Sequence, residues 1–205
     1  IFDRFTLEEM FGFMVQKHSP STLRVLDTQD LHSLRDVRQA VIKAGGSIQA
    51  AVDVVPTASS TMLLRELAAM HRADLVLVVS PYERDLLINT YGIPPEKVVL
   101  STWYYAPPPS LSSLAPFEER QHFVTIGNFR HAPNMDQVAW LNEEVWDKIA
   151  KVLPHAEMHV YGAYPSKRAM QMHAPKRRFH VLGQAKSLDM LSKYRVLLTP
   201  FRYGG

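Results

Sequence analysis

The sequence predicts an α/β protein of two parallel-sheet domains, the second incomplete, and three observations carry that prediction. Short runs rich in Val, Leu and Ile alternate with amphipathic segments of helical period along the whole chain, the pattern of parallel strands joined by right-handed crossovers. The run LVLVV at 75–79 is continuously apolar, as a strand buried on both faces requires. A proline-rich stretch at 106–110 reads as a linker and divides the chain into residues 1–110 and 111–205.

Composition bounds the function. A chain of 205 residues with 46% hydrophobic content can bury a real core. The 23 Lys and Arg exceed the 20 Asp and Glu by three and are spread along the chain, so no nucleic-acid partner is implied. The absence of Cys excludes disulfide frameworks, zinc-thiolate sites and cysteine nucleophiles. No apolar stretch approaches the roughly 20 residues needed to span a bilayer, and no signal peptide is visible. Membrane association is therefore not evident, and a soluble, cytoplasmic protein is expected. The chain begins within a strand-like segment and stops within a glycine turn, which reads as the middle of a longer protein.

In order, residues 1–5 read as a strand. Thr6 follows as N-cap of a helix over 6–17, with Glu8 and Glu9 in its first turn and Leu7, Met10, Phe11, Met14 and Val15 as its buried face. Residues 23–26 form a second strand. Asp27, Asp30, His32 and Arg35 lie beyond its carboxyl end, where open parallel sheets bind ligands. Asp30 equally reads as the cap of the next helix, with Arg35 on its solvated side. Residues 47–60 show no clear periodicity and read as a mobile loop or a short irregular element. Thr61 caps a helix through Met70. After the strand at 75–79, Ser80, Pro81 and Glu83 have the spacing of a helix start over 82–89. A strand at 98–100 leads to Trp103, Tyr104 and Tyr105, which read as cover for an interdomain surface or as a base-stacking platform.

The second half is organised around FVTIGNFRHAPN at 123–134. Residues 123–126 read as a buried strand, with Gly127 supplying a sharp exit. Asn134 looks like an N-cap with Gln137 three residues on, so a helix is expected from near Met135. Its apolar face would be Val138, Leu141, Val145, Ile149 and Val152, with Trp146 beside them. Such a strand, loop and helix succession favours phosphate through loop amides and the helix terminus; it is equally the form of a plain crossover. Strands follow at 158–161, 179–182 and 196–199, with helices at 166–173 and 187–194. Lys176, Arg177 and Arg178 read as a solvated turn, as do Lys167 and Arg168. The nine His show no metal-ligand spacing along the chain, so no metal is expected.

Four passages, DTQDLHSLR at 27–35, ADLVLVVSPYERDLL at 73–87, FVTIGNFRHAPN at 123–134 and VLLTPFRYGG at 196–205, together resemble the GT-B glycosyltransferases, in particular family four (glycosyl transferases group 1). The resemblance implies two Rossmann-like domains facing a cleft, the first on the acceptor side and the second binding a nucleotide sugar. It also implies transfer of a sugar from a UDP- or GDP-sugar to an unidentified acceptor with retention of configuration, and no cofactor besides the donor. By position, Gly127 and Asn128 match the family's glycine turn near the diphosphate, and Arg130 is a cation for it. Arg202, Tyr203, Gly204 and Gly205 resemble the start of the donor-site glycine loop. Asp30 and His32 are the catalytic candidates. Gln29 stands where the family often has His, and Ser101-Thr102-Trp103 replaces an Asn-Gly turn. A noncatalytic module binding nucleotide sugar or a protein partner, or a nucleotide-sugar epimerase, are the alternatives on this architecture.

Overall fold

The computed structural model describes residues 1–102 and 115–204. The aromatics Trp103, Tyr104 and Tyr105, the proline run at 106–110 and Gly205 lie outside the described residues. The chain forms two compact units, Ile1–Ala106 with Tyr203–Gly205, and Pro107–Arg202. Each is α/β with a four-stranded, all-parallel sheet.

In the first unit β1 (Phe2–Asp3), β2 (Val25–Asp27), β3 (Leu75–Val78) and β4 (Val98–Leu100) lie in that spatial order. Leu26, Val76 and Val78 are fully buried between α1 (Arg4–His18), α2 (His32–Lys43), α4 (Thr61–Arg72) and α5 (Pro81–Asn89), which contribute Phe5, Leu34, Met70 and Leu87 to the same core. α5 carries the expected cap, with Ser80 Oγ accepting from the Glu83 amide at 3.4 Å.

Four expectations in this unit are corrected. α1 starts at Arg4 rather than after Thr6, which leaves a two-residue strand and makes Asp3 the N-cap. Its buried positions are Phe5, Glu8 and Gly12, while Met10, Phe11 and Met14 are half exposed or more. The helix is apolar on several sides, so period alone does not choose a face; the partner does. α4 presents Arg72, whose guanidinium meets the buried Glu8 carboxylate at 2.5 Å, and Gly12 leaves the space that this carboxylate occupies. Residues 47–60 are not wholly irregular, because Ser47 Oγ accepts from the Ala50 amide and opens α3 (Ile48–Asp53), a helix too short to show a period. Finally, Ser60 rather than Thr61 caps α4, accepting from the Leu63 amide at 3.2 Å.

In the second unit the sheet order is β7 (Phe179–Gly183), β6 (Met158–Ala163), β5 (Gln121–Asn128), β8 (Tyr194–Leu197). Met158, Val160, Phe179 and Val181 alternate onto one face and pack with Val138, Leu141, Trp146 and Ala169 from α6 (Ala132–Trp140), α7 (Trp146–Val152), α8 (Lys167–Gln171) and the turn joining α6 to α7. The opposite face carries His159, Tyr161, His180 and Tyr194, all half buried.

Here too the structure departs from expectation. α6 begins at Ala132, with His131 at its N-cap position and no side-chain cap. Asn134 turns inward and donates from Nδ2 to the Asn128 carbonyl at 2.9 Å, and Gln137 is buried with Nε2 donating to Thr125 Oγ1 at 2.5 Å. Residues Leu141–Val145 form a π-helical turn. A π turn adds a residue to the helical repeat, so the phase slips and Val152, expected on the buried face, is 76% exposed. The turn at Pro175–Arg177 is there, with Lys176 exposed, but Arg177 is more than a solvated side chain: its carbonyl accepts from the buried Trp146 indole at 2.6 Å and its guanidinium bonds Asn142 and Asp147. The helix expected at 187–194 is of the 3₁₀ kind, Leu188–Lys193, and Ser187 caps it, its Oγ accepting from the Asp189 amide at 3.1 Å. Among the described residues no helix is long and apolar enough to cross a membrane.

Candidate functional site

In the first unit the polar side chains gather beyond the carboxyl ends of β2 and β3. Gln29 adopts a left-handed conformation, φ 62°, held by Asp27, whose two carboxylate oxygens accept from the Gln29 amide at 3.2 Å and its side-chain nitrogen at 2.9 Å. Asp30 pairs with Arg35 and lies 3.5 Å from His32 Nε2. The structure thus brings the two catalytic candidates together, with Arg35 sharing the charge of Asp30. Asp30 does not cap α2; the helix starts at His32 with Leu31 before it. The His32 ring meets Phe5 edge to face. Burial, and secondarily the Arg35 cation, push His32 below the ordinary imidazole value, while Asp30 opposes that fall. The neutral ring is therefore favoured, as a proton acceptor requires.

The amino terminus of α2 is filled by two carboxylates that sequence reasoning missed. Glu83 Oε1 accepts from the Leu31 amide at 2.7 Å, and Glu66 accepts from His32 and Ser33 at 2.7 and 3.1 Å. Both side chains are buried. The free amides of the α2 terminus need acceptors, and these two carboxyl groups supply them from within the protein. Burial raises Glu66, and it pushes Glu83 up to about 7; the Leu31 amide and Arg38 oppose the rise in Glu83, while Asp30 and Glu66 add to it. Glu83 Oε2 is buried without a hydrogen-bond partner among the described residues. In the sequence Glu83 already had a complete explanation as part of a helix start, and that local role concealed the distant one.

In the second unit Gly127 and Asn128 are the last residues of β5 and pair with Gly162 and Ala163 of β6. Gly127 has no left-handed backbone. Its missing side chain makes room for Asn134, whose carboxamide carbon would lie 2.8 Å from an added Cβ. Asn128 Oδ1 accepts from the Arg130 amide at 2.9 Å, Phe129 N–H donates to the Ala163 carbonyl and His131 N–H to that of Asn128. These three loop amides are thus occupied within the protein. What the loop offers outward is the Arg130 side chain. It is exposed, and its guanidinium carbon lies 3.7 Å from the centroid of the Tyr164 ring, with no carboxylate partner among the described residues. Tyr164 is itself left-handed, φ 55°, just after β6. The sequence signal for it was its place at the exit of the strand next to β5.

Arg202 is placed differently from Arg130: its guanidinium makes a forked pair with Asp136 on α6, Nε to Oδ2 at 2.8 Å, and lies over Trp140. Tyr203 and Gly204 group with the first unit. Tyr203 is buried against Ile42 and Ala51, its hydroxyl accepts from Gln39 at 2.8 Å, and the Gly204 carbonyl accepts from Arg38 at 3.2 Å. The structure therefore gathers Gly127, Asn128 and Arg130 at one strand end, and gives Arg202 and Tyr203 packing partners of their own.

A third group escaped the sequence because its spacing matches no motif. Glu157 stands immediately before β6, His159 follows on the same face, and His180 is its register neighbour on β7. One ligand-capable atom from each lies within 4.8 Å of the others.

No family model and no curated protein matches the chain. Among solved structures it is similar to the apo form of the lipopolysaccharide outer core galactosyltransferase WaaB, at 11% identity and a TM-score of 0.44 over 96% of this chain and 55% of that one. It is also similar to MnaA of S. aureus in complex with UDP, at 8% identity and a TM-score of 0.44 over 92% of this chain and 54% of that one. The chain spans about half the length of each.

Proposed function

We propose that the protein is a glycosyltransferase that takes a sugar from a UDP- or GDP-sugar, with the β5–α6 loop receiving the diphosphate. The observation that carries this reading is Arg130, a cation over the Tyr164 ring, with no carboxylate among the described residues claiming its forked donors, beside the carboxyl end of a central parallel strand. As the glycosidic bond breaks, negative charge grows on the departing diphosphate. A preoriented guanidinium stabilises that charge through two parallel hydrogen bonds. Since the loop amides already donate internally, the side chain rather than the backbone carries the burden here. His32, neutral beside Asp30, is assigned to proton handling, and retention of configuration belongs to the same proposal.

Calorimetric titration of the full-length protein with UDP and with GDP tests it. Micromolar binding of one nucleotide, weakened by Arg130→Ala, is expected and names the base. Binding of neither nucleotide would overturn the transferase reading and put a noncatalytic module in its place.

A further inference from the structure

We propose that Glu157, His159 and His180 form a binding site for a divalent transition-metal ion of the zinc class on the face of the second sheet opposite its apolar core. The inference is independent of the nucleotide reading.

Strand geometry makes the site. Alternation puts Glu157 and His159 on one face, and the parallel register sets His180 beside His159. Glu157 Oε2 lies 2.9 Å from His159 Nε2 and 3.7 Å from His180 Nε2. Tetrahedral zinc with bonds of about 2.0–2.1 Å holds its donors roughly 3.4 Å apart, so small side-chain rotations suffice to place all three on one ion. The set of two imidazoles and one carboxylate suits zinc, cobalt or nickel rather than magnesium or calcium, which take oxygen ligands.

Two further observations fit a ligand role better than a plain polar surface. His180 Nε2 is buried and has no hydrogen-bond partner among the described residues, and 3.7 Å is too long for it to bond Glu157. His159 Nδ1 meets the Tyr194 hydroxyl at 2.7 Å, and that hydroxyl meets Tyr161 at 3.2 Å. A metal-bound imidazole needs such a partner on its second nitrogen to fix its orientation. Three protein donors leave a fourth position for water or another ligand.

The test is titration of chelator-treated full-length protein with zinc chloride by calorimetry and with cobalt chloride by visible absorption. One equivalent bound at micromolar affinity or tighter, with a d–d band for cobalt, is expected. His180→Ala should weaken binding at least about tenfold, the loss typical when a metal site is disturbed. Glu157→Gln, at a residue with 36% of its side chain exposed, should do the same without threatening the fold. His155→Ala, an exposed histidine outside the cluster, should leave binding unchanged. Zinc should also raise the melting temperature of the parent protein and not of Glu157→Gln. Absence of stoichiometric binding, or binding that Glu157→Gln and His180→Ala leave intact, would overturn the site.

Discussion

The Arg130 guanidinium lies face-on to the Tyr164 ring, 3.7 Å from its centroid, and the two residues come from the exits of adjacent strands. Stacking restricts the side chain before any ligand arrives, which lowers the entropy lost on binding. Arg130→Ala is expected to weaken nucleotide diphosphate binding about tenfold to a hundredfold, the range of a charge-assisted hydrogen-bonded pair. Tyr164→Leu, which keeps the cation and removes its platform, should cost less. Equal affinities for all three proteins in calorimetry would refute this use of Arg130.

His32→Ala should slow hydrolysis or transfer from the nucleotide sugar while leaving its binding constant unchanged, since the imidazole is assigned to the chemical step. Arg35→Gln should return His32 towards the ordinary imidazole value by removing a nearby cation, an upward shift readable by NMR titration of the ring. A ring that titrates identically in both proteins would contradict the electrostatic account.

Gly127→Ala should destabilise the second unit by about 1–3 kcal/mol, the usual cost of forcing a methyl into packed space, because the new carbon would meet Asn134. Chemical denaturation of Gly127→Ala, Asn134→Gly and the double variant closes the cycle. The double variant should be more stable than the sum predicts, and simple additivity would show that the crowding lies elsewhere.

Glu83 predicts a pH dependence of stability. Its carboxyl is pushed up to about 7 by burial, opposed by the Leu31 amide and Arg38 and reinforced by Asp30 and Glu66, while an unfolded chain ionises near 4.5. Between these values the folded state binds more protons, so stability is highest below about 4.5 on this account and falls as pH rises through about 7. The loss from this group is on the order of 3 kcal/mol. Glu83→Gln, which preserves an acceptor for the Leu31 amide, should flatten the decline seen by urea denaturation. Of the slope that remains, Glu66 contributes in the same direction, being raised by burial, while His32, lowered by burial, contributes in the opposite one. An unchanged slope would mean that Glu83 is ionised in the folded protein.

Trp146→Phe removes the indole donor to the Arg177 carbonyl and leaves a gap at a fully buried position. A loss of about 2–4 kcal/mol is expected from the cavity and the unpaired carbonyl together. A change under about 0.5 kcal/mol in the unfolding midpoint would show that the neighbouring side chains close over the gap.

The sequence by itself determined the alternation of strands and helices, the existence of the strand at β3 and the start of α5, because each rests on neighbours within a few residues; burial on both faces of β3 was not met, since Val76 and Val78 are buried while Leu75 and Leu77 are half buried. Ser80 needs only the Glu83 amide three positions on, and the LVLV run needs only its own apolarity. The tertiary structure decided everything in which one residue serves two masters. Gly127 looked like a turn and is a space for Asn134; Asn134 and Gln137 had the spacing of a helix cap and instead bond back to Asn128 and Thr125. Glu83 and Glu66 cap a helix 52 and 34 residues away in sequence, and Glu157, His159 and His180 meet only because β6 and β7 pair in register. Periodicity records which side of an element is apolar. The partner a buried polar group will find depends on the desolvation cost it must offset, and that is fixed only when the elements pack.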